Sequence, residues 1–186
     1  DNGPWFEGSS GRRGRKGGAY DGAYRVPFVA AGFGAGRGVT SDAMAMNIDL
    51  LPTIAALTGA VLPESRTIDG RDISGLLQGA EESPHDVLVF FENDRIAALR
   101  TERWRFVVQA YYKSFLVPFE QFGAVLLFDL ATHGDELYNM AADFPEVVAE
   151  MTATLTDLRA ELEGLPQEET PFPRPENATT RMFAEQ

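Results

Sequence analysis

From Pro84 onward the sequence changes texture, and that change restricts the fold more than any other feature. Segments 87–92, 95–100, 104–110 and 125–130 are short and rich in Val, Phe and Tyr. Such residues suit a pleated, half-buried surface. Asn93-Asp94 supplies a tight turn between the first two. No helical pattern separates the segments, which indicates an antiparallel sheet rather than a crossover arrangement. The stretch 143–164 then carries Val147, Met151, Leu155, Leu158 and Leu162 at helical spacing. Asp143 can cap that helix, Pro145 and Glu146 suit its first turn, and Gly164 can end it. Its apolar stripe is expected to pack on the sheet.

The first half reads differently. Residues 1–24 are rich in Gly and Arg and show no periodicity, so they read as a long loop. Segment 25–31 (RVPFVAA) is a short apolar run and reads as a buried strand with Pro27 near its start. Segment 47–59 (NIDLLPTIAALTG) reads as a helix capped by Asp49, with Pro52 in its first turn and Gly59 at its end. Ile48, Leu51, Ala55 and Thr58 share one face; Leu50, Ile54 and Leu57 share another. A helix apolar on two faces is expected to be well buried. Segment 62–72 reads as a connecting loop and 73–78 as a short helix ended by Gly79. From Leu165 the chain is polar and rich in Pro and Glu, a tail or docking strap. The expected division is 1–83, 84–164 and 165–186.

A net charge of −12 argues against nucleic acid as a general partner, since phosphate would be repelled. The charge is uneven. Residues 1–40 hold Arg12, Arg13, Arg15, Lys16, Arg25 and Arg37 against only Asp1, Glu7 and Asp21. That basic segment suits a small anion, or it is a solvated loop. Cysteine is absent, so disulfides, thiolate metal sites and cysteine nucleophiles are excluded within these residues. No apolar run is long enough to span a bilayer. The chain opens on Asp1-Asn2-Gly3-Pro4, neither an initiator Met nor a signal peptide, so a processed chain or a fragment is expected.

Two groups of residues could carry chemistry. Asp1 and Asn2 place a carboxylate and an amide oxygen side by side, hard donors of the kind Ca²⁺ prefers, though Asp-Asn-Gly is also ordinary turn chemistry. Lys16 sits among Gly14, Gly17 and Gly18. Glycines let backbone approach an anion closely, and the ammonium offers a point charge to a sulfate or phosphate oxygen. The same stretch also suits a flexible basic linker.

The order of motifs resembles the sulfatase family of the alkaline phosphatase superfamily. Asp1-Asn2-Gly3-Pro4 is followed by Gly14-Arg15-Lys16-Gly17-Gly18-Ala19-Tyr20-Asp21-Gly22, then Arg25-Val26-Pro27-Phe28. The likeness continues through 49–60 (DLLPTIAALTGA), Leu62-Pro63, Asp69-Gly70-Arg71-Asp72 and Leu76-Leu77. It ends at Leu127-Phe128-Asp129-Leu130 with Glu136, Asn139 and Ala141. It runs over about residues 1–164, with small departures at Ala23 and at His133-Gly134-Asp135.

This resemblance implies the end of an α/β sulfatase domain over 1–83, followed by a small antiparallel sheet plus helix subdomain over 84–164. It implies hydrolysis of a sulfate ester, with Asp1 and Asn2 as ligands of a divalent cation, usually Ca²⁺, and Lys16 contacting the sulfate. The family nucleophile is a formylglycine made in a Cys/Ser-x-Pro-x-Arg motif, which this sequence does not contain. The other metal-binding aspartates and the catalytic His and Lys that precede Asp-Asn in the family are also missing. His85 and His133 follow the pair and read as surface or turn residues. The expected partner is therefore the missing N-terminal part of the same protein, and the isolated chain is expected to be inactive. Two alternatives stay open: a phosphonate or phosphate monoester hydrolase on the same scaffold, and a non-catalytic protein binding an anion or partner. Export to the periplasm or outside is an expectation of the family alone.

Overall fold

The computed structural model describes residues 2–6, 10–32, 34–92, 95–112 and 115–163, with backbone only at 111–112 and 115–116. Asp1, the Asn93-Asp94 turn, Gly164 and the tail lie outside the described residues.

Four strands form one antiparallel sheet: β1 (Leu88–Glu92), β2 (Arg95–Arg100), β3 (Trp104–Val107) and β6 (Leu126–Asp129), in the order β1-β2-β3-β6. A separate hairpin pairs β4 (Ala110–Tyr112) with β5 (Phe115–Val117). The expected strand over 104–110 is thus two. The register explains the break. Phe90 pairs with Ala98 and Phe91 with Ile96, leaving Ala97 as an extra residue in β2. This bulge lets the Ala97 carbonyl accept from both Val108 and Gln109 N–H, at 2.9 and 3.3 Å, as β3 gives way to β4.

Helix α4 (Pro145–Glu163) covers one face of the sheet. Met151 and Leu155 are buried there with Ile96, Leu99, Phe106, Val108 and Leu127, and Val147, Leu158 and Leu162 pack alongside, as the stripe predicts. Each fully buried apolar side chain of this size contributes about 1.5–3 kcal/mol. Edge strand β6 is sealed by Asn139. Its Oδ1 accepts from Leu127 and Ala141 N–H, at 2.9 and 3.1 Å, while Nδ2 donates to the Val125 carbonyl at 3.2 Å.

The opposite face buries Leu88, Phe90, Ala98, Val107 and Phe128 beneath Ala19, Tyr20, Tyr24 and Met44. The Gly- and Arg-rich segment is therefore a lid on the sheet rather than a free loop. It ends in a single helical turn, α1 (Asp21–Tyr24).

Segment 25–31 corrects the reading as a buried strand. It belongs to no strand; Phe28 is 57% exposed and Val29 89%. A strand needs a neighbour for its N–H and C=O groups, and no described strand runs beside this one. Helix α2 (Leu50–Thr58) forms behind a 3₁₀ turn at Asn47–Asp49 and stops at Gly59. It is less buried than its composition predicts. Pro52, Thr53 and Ala55 face inward, while Leu51 and Ile54 are more than half exposed, because only that narrow side meets α3 (Ser74–Gln78) and the loop before it.

Asp49 does not cap α2 with its side chain. It is fully buried, and accepts from the backbone N–H of Met46 (2.7 Å) and Arg71 (2.8 Å) and pairs with His85 Nε2 at 2.8 Å. This corrects the reading of His85 as a surface residue: its side chain is 7% exposed. The same packing accounts for Asp69-Gly70-Arg71, because a Cβ on Gly70 would lie 2.1 Å from the Ile48 carbonyl oxygen. His133 is exposed, as expected, against Tyr138.

Candidate functional site

The N-terminal segment and the basic loop meet through their backbones. Gly3 N–H donates to the Ala23 carbonyl at 2.7 Å, and Lys16 N–H donates to the Pro4 carbonyl at 2.8 Å. Only glycine fits at position 3, where a Cβ would sit 1.9 Å from the Gly22 carbonyl oxygen. The turn is closed by Gly18 N–H to the Arg15 carbonyl (3.0 Å) and Gly22 N–H to the Arg13 carbonyl (2.8 Å). Lys16 is exposed at its tip, and no described carboxylate forms an ion pair with it.

Beneath the loop lies a buried ionic cluster. Asp21 accepts from Arg12 (3.1 Å), Arg25 (3.5 Å) and Arg100 (3.2 Å), and Arg105 Nη1 stands 3.7 Å away. Arg105 on β3 and Glu136 beyond β6 are both fully buried, with Nε 3.1 Å from Oε1. Arg105 also donates from Nε and Nη2 to the Ala19 carbonyl, at 3.0 and 2.5 Å. Glu136 Oε2 accepts the Asp21 N–H at 2.8 Å, and Arg13 Nη1 donates to the Glu136 carbonyl at 2.5 Å. Burial raises the Glu136 pKa against the pull of Arg105, and burial lowers those of Arg100 and Arg105. Five guanidiniums, counting Arg13 on the Glu136 carbonyl, gather around two carboxylates, so the cluster carries an excess of positive charge. Its more exposed members, Arg12 and Arg25, line an open cleft of about 560 Å³ with Asn2, Gly3, Ser10 and Pro27.

Comparison with known proteins places this architecture. No known family model matches the sequence. Arylsulfatase G of Mus musculus is 33% identical over 196 residues, covering 85% of this chain and 36% of that protein. Arylsulfatase A of Bos taurus is 34% identical over 162 residues, covering 77% and 31%. The crystal structure of PsFucS1 sulfatase from Pseudoalteromonas sp. superposes with a TM-score of 0.77, covering 91% of this chain and 37% of that one at 21% identity.

The chain belongs to the sulfatase family. It resembles the C-terminal portion of those proteins and spans about a third of the length of the curated relatives it matches. The sulfatase family is one of hydrolases acting on sulfate esters. The small antiparallel sheet with one covering helix agrees with the fold expected of its C-terminal part. No described helix is long and apolar enough to cross a membrane.

Of the residues singled out for chemistry, Lys16 is tied to the N-terminal segment by its backbone bond to Pro4, and Asn2 lines the cleft without Lys16. Asp1 lies outside the described residues. Asn2 is exposed at a cleft whose charged walls, Arg12 and Arg25, are cationic. Ca²⁺ takes about 6–8 oxygen ligands, and no group of three His, Cys, Asp or Glu able to hold a metal occurs among the described residues. These residues alone do not fit a cation site. Sequence reading missed Arg100, Arg105 and the burial of Asp21 and Glu136. One signal was available: Arg105 shares a sheet face with Val107, and a charge at an inward strand position requires a buried partner.

Proposed function

We propose that this chain is the portion of a sulfate-ester hydrolase that presents Lys16 to the sulfate group. The reading is carried by one observation: an exposed lysine, unpaired among described carboxylates, on a loop whose backbone is tied to the sheet beneath it. Lys16 would donate to a sulfate oxygen and offset charge that builds on the leaving group as the S–O bond breaks. Arg12 and Arg25 give the adjacent cleft a positive potential that draws a sulfate ester in.

In this reading the chemistry is shared with the remainder of a longer polypeptide. That remainder would supply the formylglycine nucleophile, whose motif this sequence does not contain. It would also supply most ligands of a divalent cation, to which Asp1 and Asn2 would add two oxygen donors of the several that Ca²⁺ takes. The exposed apolar residues Val26, Phe28, Val29, Leu51 and Ile54 are read as the surface turned toward it.

Kinetics of the complete enzyme on an aryl sulfate test the reading. Lys16→Ala, in a folded variant, is expected to lower kcat/KM by about 10²–10³-fold, or about 2.7–4 kcal/mol, the scale of one lost oxyanion contact. A change below about threefold, well short of the tenfold that about 1.4 kcal/mol represents, makes Lys16 a bystander.

A further inference from the structure

We propose that Arg105 and Glu136 are positioning residues that fix the Lys16 loop in its working register, an inference that rests on the reading of Lys16 as the sulfate contact. Neither residue touches the cleft. Both are fully buried, one on a central strand and one beyond the edge strand, and between them they grip the lid at three places. Arg105 holds the Ala19 carbonyl with two N–H groups, Glu136 Oε2 holds the Asp21 N–H, and the Glu136 carbonyl holds the Arg13 guanidinium. Positions 13 and 19–21 lie on either side of Lys16. The turn between them is then closed by the bonds from Gly18 to Arg15 and from Gly22 to Arg13.

Three features separate this pair from a cluster that merely fills space. Apolar side chains of similar volume would fill the core as well, and often with better stability, because two buried charges lose their hydration. They could not bond the backbone groups of Ala19 and Asp21. Second, Glu136 is the one non-glycine residue with a positive φ, 55°, among the described residues. Such a conformation persists only where surroundings over-determine it, and here it turns the carboxylate inward while the carbonyl meets Arg13. Third, Arg105 Nη1 is buried without a hydrogen-bond partner, 3.7 Å from Asp21 Oδ1. The guanidinium is aimed by its bonds to Ala19, and Glu136 Oε1, though 3.1 Å from Nε, is itself left without a hydrogen bond.

The test uses the complete enzyme, an aryl sulfate as substrate, and the variants Arg105→Lys and Glu136→Gln, alone and combined with Lys16→Ala. Arg105→Lys keeps the charge and loses the two-pronged donor; Glu136→Gln keeps an acceptor for Asp21 N–H and loses the charge. Folding is checked by circular dichroism, and having two variants guards against one failing to fold. Each is expected to lower kcat by about 10–100-fold, the scale of a misplaced contact, with the smaller change in KM. In the Lys16→Ala background the same changes should add less than about twofold, because residues acting through one group are not additive. Trypsin should cut at Arg12–Lys16 at least several times faster in either variant. Folded variants with kcat near wild type, or losses that multiply fully with Lys16→Ala, overturn the proposal. If Lys16→Ala alone leaves kcat intact, the reading of the site fails. Trypsin then decides the positioning claim separately: faster cutting keeps the pair as the anchor of the loop, and unchanged cutting refutes it.

Discussion

Helix α4 lays Met151 and Leu155 against a sheet, whereas α2, the more apolar of the two, leaves Leu51 and Ile54 more than half exposed. Both patterns are readable as amphipathic or apolar helices. What differs is the partner. Strands β1, β2, β3 and β6 lie next to α4 in the chain and give its stripe somewhere to go. Around α2, the 3₁₀ turn, α3 and the loop before it cover the side of Pro52, Thr53 and Ala55 and leave the rest open. The extended segment carrying Val26, Phe28 and Val29 is exposed in the same way. A hydrophobic pattern specifies what an element can bury, and the neighbouring chain decides what it does bury. A sequence spanning about a third of its relatives' length can therefore hold one region with both sheet faces covered and one whose apolar surface faces outward.

Truncating the two helices should separate them most sharply. In the 186-residue chain, Leu155→Ala is expected to destabilise by about 2–5 kcal/mol, as buried leucines do. Ile54→Ala, at 57% exposure, should change stability by less than about 1 kcal/mol. Urea unfolding measures both, and equal losses would erase the distinction between the regions. A smaller effect follows at the sheet edge. Asn139→Ala removes three hydrogen bonds that seal β6 and should cost about 1–3 kcal/mol in the same assay.

Acidity gives the smallest and most gradual test. Burial raises the Glu92 pKa to about 7 at the end of β1. The folded protein then retains a proton that the unfolded chain gives up near 4.5. Stability from this group is full below that value and declines as pH rises through 7. Asp129 runs the other way. Its hydrogen bond to Arg103 lowers the pKa from 3.8 to about 2, so its contribution is full above 3.8 and is lost as pH falls through 2. Denaturation followed from pH 5 to 8 should show the first decline, and Glu92→Gln should flatten it. An unchanged slope in that variant would place the titrating group elsewhere.

The parts of the fold that were legible are those with local signals. Strand β2 matches its expected bounds at Arg95–Arg100, and α4 follows its i, i+4 stripe. The break after Val107 was hidden, because Ala97, the bulged residue, and Val108-Gln109 carry no glycine or proline to mark it. At the site, Lys16 stood out through its flanking glycines. Its supports did not, since Asp21, Arg105 and Glu136 lie up to 115 residues apart along the contacts that join them. The His85–Asp49 pair is hidden for the same reason, its members being 36 residues apart. Pairing at that range is set by topology, and a single sequence displays only the composition of each partner.

On the function proposed above, the sheet region is well packed and the Lys16 site is completed by residues elsewhere in a longer polypeptide. Aryl sulfate hydrolysis by the purified 186-residue chain tests it most directly. No turnover above background is expected from the chain alone, with activity in the complete enzyme. Turnover by the chain that survives purification and disappears with Lys16→Ala would contradict it.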